Sequence, residues 1–311
     1  MRILQEETEG AYVVTIGNFD GVHLGHRALL ERAQSLAVLR GVPSLAMTFD
    51  PHPTQVLKGP STNFLITPLE LKLEYLDSTG IDAVAVLPFT PQFARMPAEE
   101  FLERVLRERF RAQGVVVGYN FSFGQGGRGN AQLLSAFGEK EGIPVVIAPP
   151  FLDSEKRRPI SSSRIRQLIE AGDMTAAASL LGHPFTVAGR VVEGDHRGRE
   201  LGVPTLNLLP NKNQIMPPYG VYAGWVTIQG VVHMAVASWG IRPTFDGSAP
   251  LLEVHALASL PFDHYGQRVK FDWGPRLRGE ERFDSLDALK AQMALDVEHA
   301  RQWLQSHPPL A

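Results

Sequence analysis

The stretch Gly17-Asn-Phe-Asp-Gly-Val-His-Leu-Gly-His26 gathers residue types suited to handling phosphate. It follows an apolar run (Tyr12, Val13, Val14, Ile16) that predicts a strand over 12–16, and it leads into a helical pattern. Gly17, Gly21 and Gly25 permit tight turns and close approach of a ligand to the backbone. His23 and His26, three apart, project from one side of the first helical turn. Imidazoles so placed can donate hydrogen bonds to phosphate oxygens and offset charge that develops in a transition state. The free N–H groups of a helix starting near His23 suit the same anion, and Asn18, Phe19 and Asp20 occupy the turn before it. The spacing is neither a P-loop nor Gly-x-Gly-x-x-Gly. Zinc is another use of His-x-x-His, although no third ligand is suggested nearby; a capping turn with surface histidines is the plainest alternative.

Other segments carry related chemistry. Ile160 to Arg166 sets Ser161, Ser162 and Ser163 at a helix start with Arg164 and Arg166 in its first turn, able to hold a triphosphate or merely to cap the helix. Thr48 to Pro53 closes one strand, and Gly118 to Asn130 follows another with aromatics able to face a flat ring and glycines that let a loop close. Gly189 to Asn207 passes through Gly194, Gly198 and Gly202 before Pro204-Thr205-Leu206-Asn207. A glycine-rich flap followed by a hydroxyl and an amide oxygen suits Mg²⁺ and ATP; the alternative is a long hairpin loop.

These residues need two different scaffolds. Up to about residue 182, short apolar strands (12–16, 44–49, 82–87, 114–117, 144–148) alternate with helical patterns (24–40, 98–110, and a helix-rich stretch over 161–181), as in a parallel α/β sheet. Leu29, Ala33, Leu36 and Ala37 mark the apolar face of the first helix; Phe101, Val105 and Phe110 mark that of 98–110. After Gly182-His183-Pro184 the pattern turns to β segments (185–192, 219–228, 231–237, 252–257, 268–273), then a helix over about 285–305. That predicts an antiparallel barrel or sandwich with a terminal helix. Two domains, 1–183 and 184–311, fit a length of 311 residues.

With 30 basic and 33 acidic residues the chain gives no sign of nonspecific nucleic-acid binding. The start shows no apolar leader, and no run approaches a membrane span. Zero cysteines exclude disulfides, thiolate metal sites and a cysteine nucleophile, and fit a reducing compartment such as the cytoplasm.

In their order, Gly-x-Phe-Asp-Gly-x-His-x-Gly-His, Thr-Phe-Asp-Pro-His-Pro, Gly-x-Asn-Phe-x-Phe-Gly and Ile-Ser-Ser-Ser-x-Ile-Arg resemble the nucleotidyltransferase module of the bacterial bifunctional riboflavin kinase/FAD synthetase family. The later stretch, with "YGVYAGW", "GIRPTF", "LEVHAL" and "LRGEERF" in order, is similar to that family's flavokinase module, with Leu206 replacing an alanine. The resemblance implies a Rossmann-like domain followed by a β-barrel, Mg²⁺ as cofactor, and ATP, riboflavin and FMN as substrates. It also implies His23, His26 and Arg166 as catalytic groups for adenylyl transfer and Glu253 as base toward the ribityl hydroxyl. Gly17, Asn18, Phe19, Asp20, Gly25, Ser161, Ser162, Ser163, Gly189, Gly194, Gly198 and Arg199 would bind nucleotide. Phe49, Asn120, Phe123 and Arg278 would meet flavin, and Thr205 and Asn207 would bind metal. Ser238-Trp239 and the run after Glu253-Val254-His255 (256–264) depart from the family pattern and bear on the flavin pocket and the kinase rate. Adenylyltransferase activity alone, a transferase for another phosphorylated precursor and a flavin-binding regulatory protein are the competing readings.

Overall fold

The computed structural model describes residues 1–4, 10–59, 63–193, 204–244, 247–258 and 264–309. The chain divides into two compact units, Met1–Ser162 and Ser163–Ala311.

The first unit is built on six parallel strands: β1 (Arg2–Leu4), β2 (Val13–Ile16), β3 (Ser44–Asp50), β4 (Ala83–Pro88), β5 (Gly114–Gly118) and β6 (Val145–Ala148), ordered β1-β4-β3-β2-β5-β6. Every residue of β2 is buried, as a strand covered on both faces requires, so it reads as a continuous apolar run rather than an alternation. Val14, Ile16, Leu45, Met47, Val115 and Val117 face one core, and Val13 and Val116 another with Ala33 and Ala37. The direction of chain progression reverses at β2, between β3 and β5, and the crevice at such a reversal is where open α/β sheets bind ligands. Helix α1 (Leu24–Arg40) starts there and ends at Gly41, whose φ of 65° lets its N–H reach back to Ala37 and Val38. Its fully buried residues are Leu30, Ala33 and Ala37; Leu29 and Leu36 are half-buried at the edge of that face. Helices α2 (Pro53–Leu57) and α3 (Leu69–Asp77) follow β3.

Two elements differ from the sequence reading. β1 has the pattern exposed, exposed, half-buried, so it lacks the apolar run that signals a strand, yet it pairs in parallel with β4. The helix expected over 98–110 is one α turn, Ala98–Glu100, running into a π-helical stretch, Phe101–Arg109 (together α4). There Phe101, Leu102, Val105 and Leu106 are the buried residues, a closer pairing than the expected spacing. Helix α5 (Ala131–Glu141) completes the unit.

The second unit takes in most of α6 (Ser162–Ala171), then α7 (Met174–Leu181), six strands and α8 (Leu286–Ser306). The strands are β7 (Thr186–Val192), β8 (Leu206–Leu208), β9 (Gly220–Ile228), β10 (Val231–Thr244), β11 (Gly247–Ala256) and β12 (Arg268–Arg278). They close into an antiparallel barrel, ordered β10-β11-β8-β7-β12-β9, rather than a sandwich. β8 is three residues long and was not expected; its strand pairing falls inside the Pro-Thr-Leu-Asn motif. β10 and β11 run well beyond 231–237 and 252–257, because they pair with each other through Thr244 and Gly247.

The barrel interior is aromatic and aliphatic, with Tyr222, Phe271, Ala235, Leu252 and Val254 at or near zero exposure. Trp239, one of the departures, is core: it is 5% exposed, its indole N–H donates to the Pro217 carbonyl at 3.1 Å, and its ring lies 5.6 Å from that of Tyr219. Among the described residues no helix is long and apolar enough to cross a membrane.

Candidate active sites

In the sheet unit the turn after β2 is held from below. Asp20 is fully buried, and its carboxylate accepts from the N–H groups of Ile66 (3.0 Å) and Thr67 (3.0 Å). The Thr67 hydroxyl in turn accepts from the Gly21 N–H at 2.8 Å. Phe19 is fully buried in a cluster with Val22, Leu30 and Ala46. The side chains of Phe19 and Asp20 therefore face the core, and only their backbone is left to meet a nucleotide. Positive φ falls on Phe19 (48°), Gly21 (90°) and Val22 (38°), so just one of the three glycines serves as a turn residue. Gly17 and Gly25 make room instead: a Cβ would come 3.2 Å from the Phe19 ring at the first and 3.2 Å from the His23 ring at the second.

The histidines come together. Their rings stack at a centroid distance of 3.6 Å and 14° between planes. His23 is the N-cap of α1, its Nδ1 accepting from the His26 N–H at 3.2 Å. No acidic residue occupies the first turn of α1, which suits an anion there. Ser162 reaches the same turn, donating from its hydroxyl to the Asp20 carbonyl at 3.0 Å. Ser161 is half-buried beside it; Ser163 is exposed and Arg164 and Arg166 half-buried on α6.

Phe49 and Phe123 are core residues rather than open ring surfaces, at 9% and 7% exposure. Phe49 meets Phe89 and Phe93 edge-on or tilted, and Phe123 stacks on Phe121 and tilts against Phe101. They stand behind the wall of a cavity of about 130 Å³ lined by Leu57, Phe89, Phe93, Met96, Phe101 and the glycines of 124–127. The glycines belong to the Gly118–Asn130 stretch noted in the sequence, whereas Leu57, Phe89, Phe93 and Met96 were not singled out, because each looks like an ordinary core aromatic or aliphatic. Asn120 is exposed after β5.

In the barrel unit the candidate residues lie in a row across paired strands. Asn207 on β8 lies opposite Glu253 on β11, which lies opposite Ser238 on β10. Leu252 and Val254 are fully buried while Glu253 and His255 between them are half-buried, so the alternation of β11 is clear and turns Glu253 outward. Asn207 is 7% exposed, and its Oδ1 makes no hydrogen bond within the described residues. Thr205 is half-buried immediately before β8, two residues from Asn207. His255, not singled out as a site residue from the sequence, links its Nδ1 to the Pro204 carbonyl at 2.9 Å and so pins the start of this segment.

Gly189 lies in β7, where a Cβ would press on the Leu209 carbonyl at 3.0 Å. Gly194, Gly198 and Arg199 lie outside the described residues. Arg278 pairs with the terminal helix: Nε and Nη2 both donate to the Asp296 carboxylate on α8 at 2.9–3.0 Å, and Nη1 donates to the Gly279 carbonyl. Its guanidinium anchors the terminal helix to the barrel.

Residues 5–164 match the family model described as FAD synthetase, and residues 181–304 match that described as riboflavin kinase. The bifunctional riboflavin kinase/FMN adenylyltransferase of Escherichia coli strain K12 is 39% identical over 301 residues, covering 96% of this chain and 95% of that protein. The protein of the same name from Bacillus subtilis strain 168 is 33% identical over 308 residues, 97% and 96% of the two chains. A crystal structure from Streptococcus pneumoniae, described as a macrolide-efflux protein, is 34% identical and superposes with a TM-score of 0.87 over 97% of this chain and all of that one. On the two matched models and the near full-length identity, the chain belongs to the bacterial bifunctional riboflavin kinase/FMN adenylyltransferase family.

Proposed function

We propose that the chain makes FAD in two ATP-dependent steps, each in its own unit. In the barrel the riboflavin 5′-hydroxyl attacks the γ-phosphorus of ATP, giving FMN and ADP. In the sheet unit a phosphate oxygen of FMN attacks the α-phosphorus of a second ATP, giving FAD and pyrophosphate. The observation that carries the two-site reading is the presence of both constellations: stacked His23 and His26 at an anion-ready helix start, and Asn207 beside Glu253 in the barrel.

Adenylyl transfer brings two anions together, so the protein's work is alignment and charge screening. His23, His26 and the backbone of Gly17 to Gly21 would receive phosphate oxygens, with Ser161, Ser162, Ser163 and Arg166 holding the triphosphate. We extend this module to residue 183 so that it includes α6 and its Arg166. The aromatic cavity beside Phe93 and Phe101 would take one edge of the flavin ring system, with Asn120 at the exposed end of β5.

For phosphorylation, Glu253 takes the proton of the attacking hydroxyl. The buried Oδ1 of Asn207, without a hydrogen bond among the described residues, together with the Thr205 hydroxyl is an oxygen donor set that fits Mg²⁺. When bound, Mg²⁺ neutralises phosphate charge and orients the transferring group. Both reactions use small molecules, and a cysteine-free chain of near-neutral charge suits work in the cytoplasm without nucleic-acid partners.

The test is incubation of the protein with riboflavin, ATP and Mg²⁺, with flavins followed by chromatography. FMN that appears first and then converts to FAD is the expected result. FAD formed only from added FMN would confine catalysis to the sheet unit. No product from either flavin would overturn the enzyme reading in favour of a flavin-binding protein.

A further inference from the structure

The turn over Gly17–Val22 and the carboxyl end of β3 carry the two sets of candidate residues in the sheet unit, and one buried ammonium joins them. Lys72, on α3, is 3% exposed. Its Nζ stands 3.4 Å from Thr48 Oγ1 and 3.4 Å from the Phe49 carbonyl. Thr48 donates its hydroxyl hydrogen to the Asn18 carbonyl at 3.0 Å. An ammonium can only donate. Lys72 therefore fills a lone pair of Thr48 and leaves that hydroxyl's hydrogen for Asn18, which fixes the direction of the whole chain of bonds.

The environment shows what this arrangement costs. Desolvation is the largest influence on Lys72 and holds its pKa below the ordinary lysine value; attraction to Asp20 and Asp50 works the other way without prevailing. A buried cation whose counter-charges do not cover its desolvation weakens the fold, and an apolar side chain of similar volume is commonly as stable or more so. A lysine at such a site is therefore a candidate for a role in function rather than in stability.

We propose that Lys72 is a positioning residue for adenylyl transfer, tying the nucleotide turn at Asn18 to the flavin-side end of β3 through Thr48. The proposal rests on the placement of the adenylyl site at His23 and His26 given above. Without the ammonium, Thr48 is free to turn its hydroxyl away from Asn18, and the two substrate-bearing segments lose their common reference.

The experiment compares full-length Lys72→Met, Lys72→Arg and His26→Ala with the parent in both reactions and in thermal unfolding. For Lys72→Met the expected result is a fall of about 10-fold or more in kcat for adenylylation. Riboflavin phosphorylation stays near the parent rate, and the melting temperature is equal or higher. Lys72→Arg, which keeps the charge and the donors, recovers part of the lost kcat. Loss of kcat in step with a lowered melting temperature would overturn the proposal by assigning Lys72 to stability alone. Folded Lys72→Arg no more active than Lys72→Met would overturn it as well, since the cation would then not matter. Unchanged adenylylation in Lys72→Met also overturns it, and His26→Ala then locates the error. If His26→Ala abolishes adenylylation, the site stands and the lysine's role is wrong; if His26→Ala is equally unaffected, the placement of the site is wrong.

Discussion

The sheet unit fixes its reactive side chains by buried charge behind a turn, whereas the barrel unit fixes them by strand register. Asp20 and Lys72 lie beneath the turn at zero and 3% exposure and hold it through backbone amides and a threonine hydroxyl. In the barrel, Asn207, Glu253 and Ser238 are aligned by the antiparallel ladder. A parallel sheet ends in loops whose shape must be set by side chains, while in an antiparallel barrel the pairing of neighbouring strands sets position along the strand. The lesson is that the first site is vulnerable through residues that never touch substrate, and the second through the reacting residues themselves.

The largest expected effect tests the second half of that statement. Glu253→Gln keeps shape and register and removes the base, so riboflavin phosphorylation should fall about 1,000-fold with adenylylation intact, as steady-state rates on both flavins would show. Equal loss of both activities would erase the division between the units.

Asp296→Asn comes next. It breaks the buried pair with Arg278, which sits at 15% and 5% side-chain exposure, and should destabilise the barrel by about 3 kcal/mol in denaturant unfolding. A much smaller cost would mean that α8 is anchored by its apolar face alone. Asp20→Asn, which weakens three charge-assisted bonds to Ile66 and Thr67, should cost the sheet unit about 2 kcal/mol and lower adenylylation more than phosphorylation.

Gly25→Ala is smaller still. Its Cβ would press the His23 ring at 3.2 Å, and about a 10-fold loss of adenylylation without a change in melting temperature would show that the ring must keep its place.

The smallest effect concerns pH. Burial raises the Asp272 carboxyl above its usual value, with the Thr186 hydroxyl at 2.5 Å opposing the rise. The folded barrel then binds a proton that the unfolded chain has released, so its stability falls as pH rises from the ordinary carboxylate value through the raised one. Asp272→Asn should flatten that slope in melting curves taken across the acid range. Lys72 has the opposite sign: its lowered pKa means that the sheet unit gains stability as pH rises from that pKa toward the ordinary lysine value.

Much of this was legible in the residues, for physical reasons that also mark where legibility stops. The four central strands of the sheet, β4, β3, β2 and β5, announced themselves because strands buried on both faces must be continuously apolar, and edge strand β6 kept the same apolar run. The junction of β2 and α1 was legible because its glycines and histidines have few other uses. The burial of Phe19 and Asp20 was not, since nothing in a turn's composition says which way its side chains point. β1 and β8, at three residues each, are too short to show a period and exist only through their partners, β4 and β11 with β7. Lys72 was invisible for the opposite reason: a lysine in an amphipathic helix reads as solvent-facing, and only tertiary placement reverses that. The bond of Arg278 to Asp296 on α8 was not legible either, since it joins residues 18 apart on different elements.

The cap on α1 settles one more matter. A ring nitrogen that accepts a hydrogen bond has no hydrogen of its own, so the bond from the His26 N–H to His23 Nδ1 places the neutral ring's hydrogen on Nε2. His23 is thus held in one tautomer, with a donor on its far side, and a second proton on the ring would cost the helix its side-chain cap while the bonds from the His26 and Arg27 N–H groups to the His23 carbonyl remain.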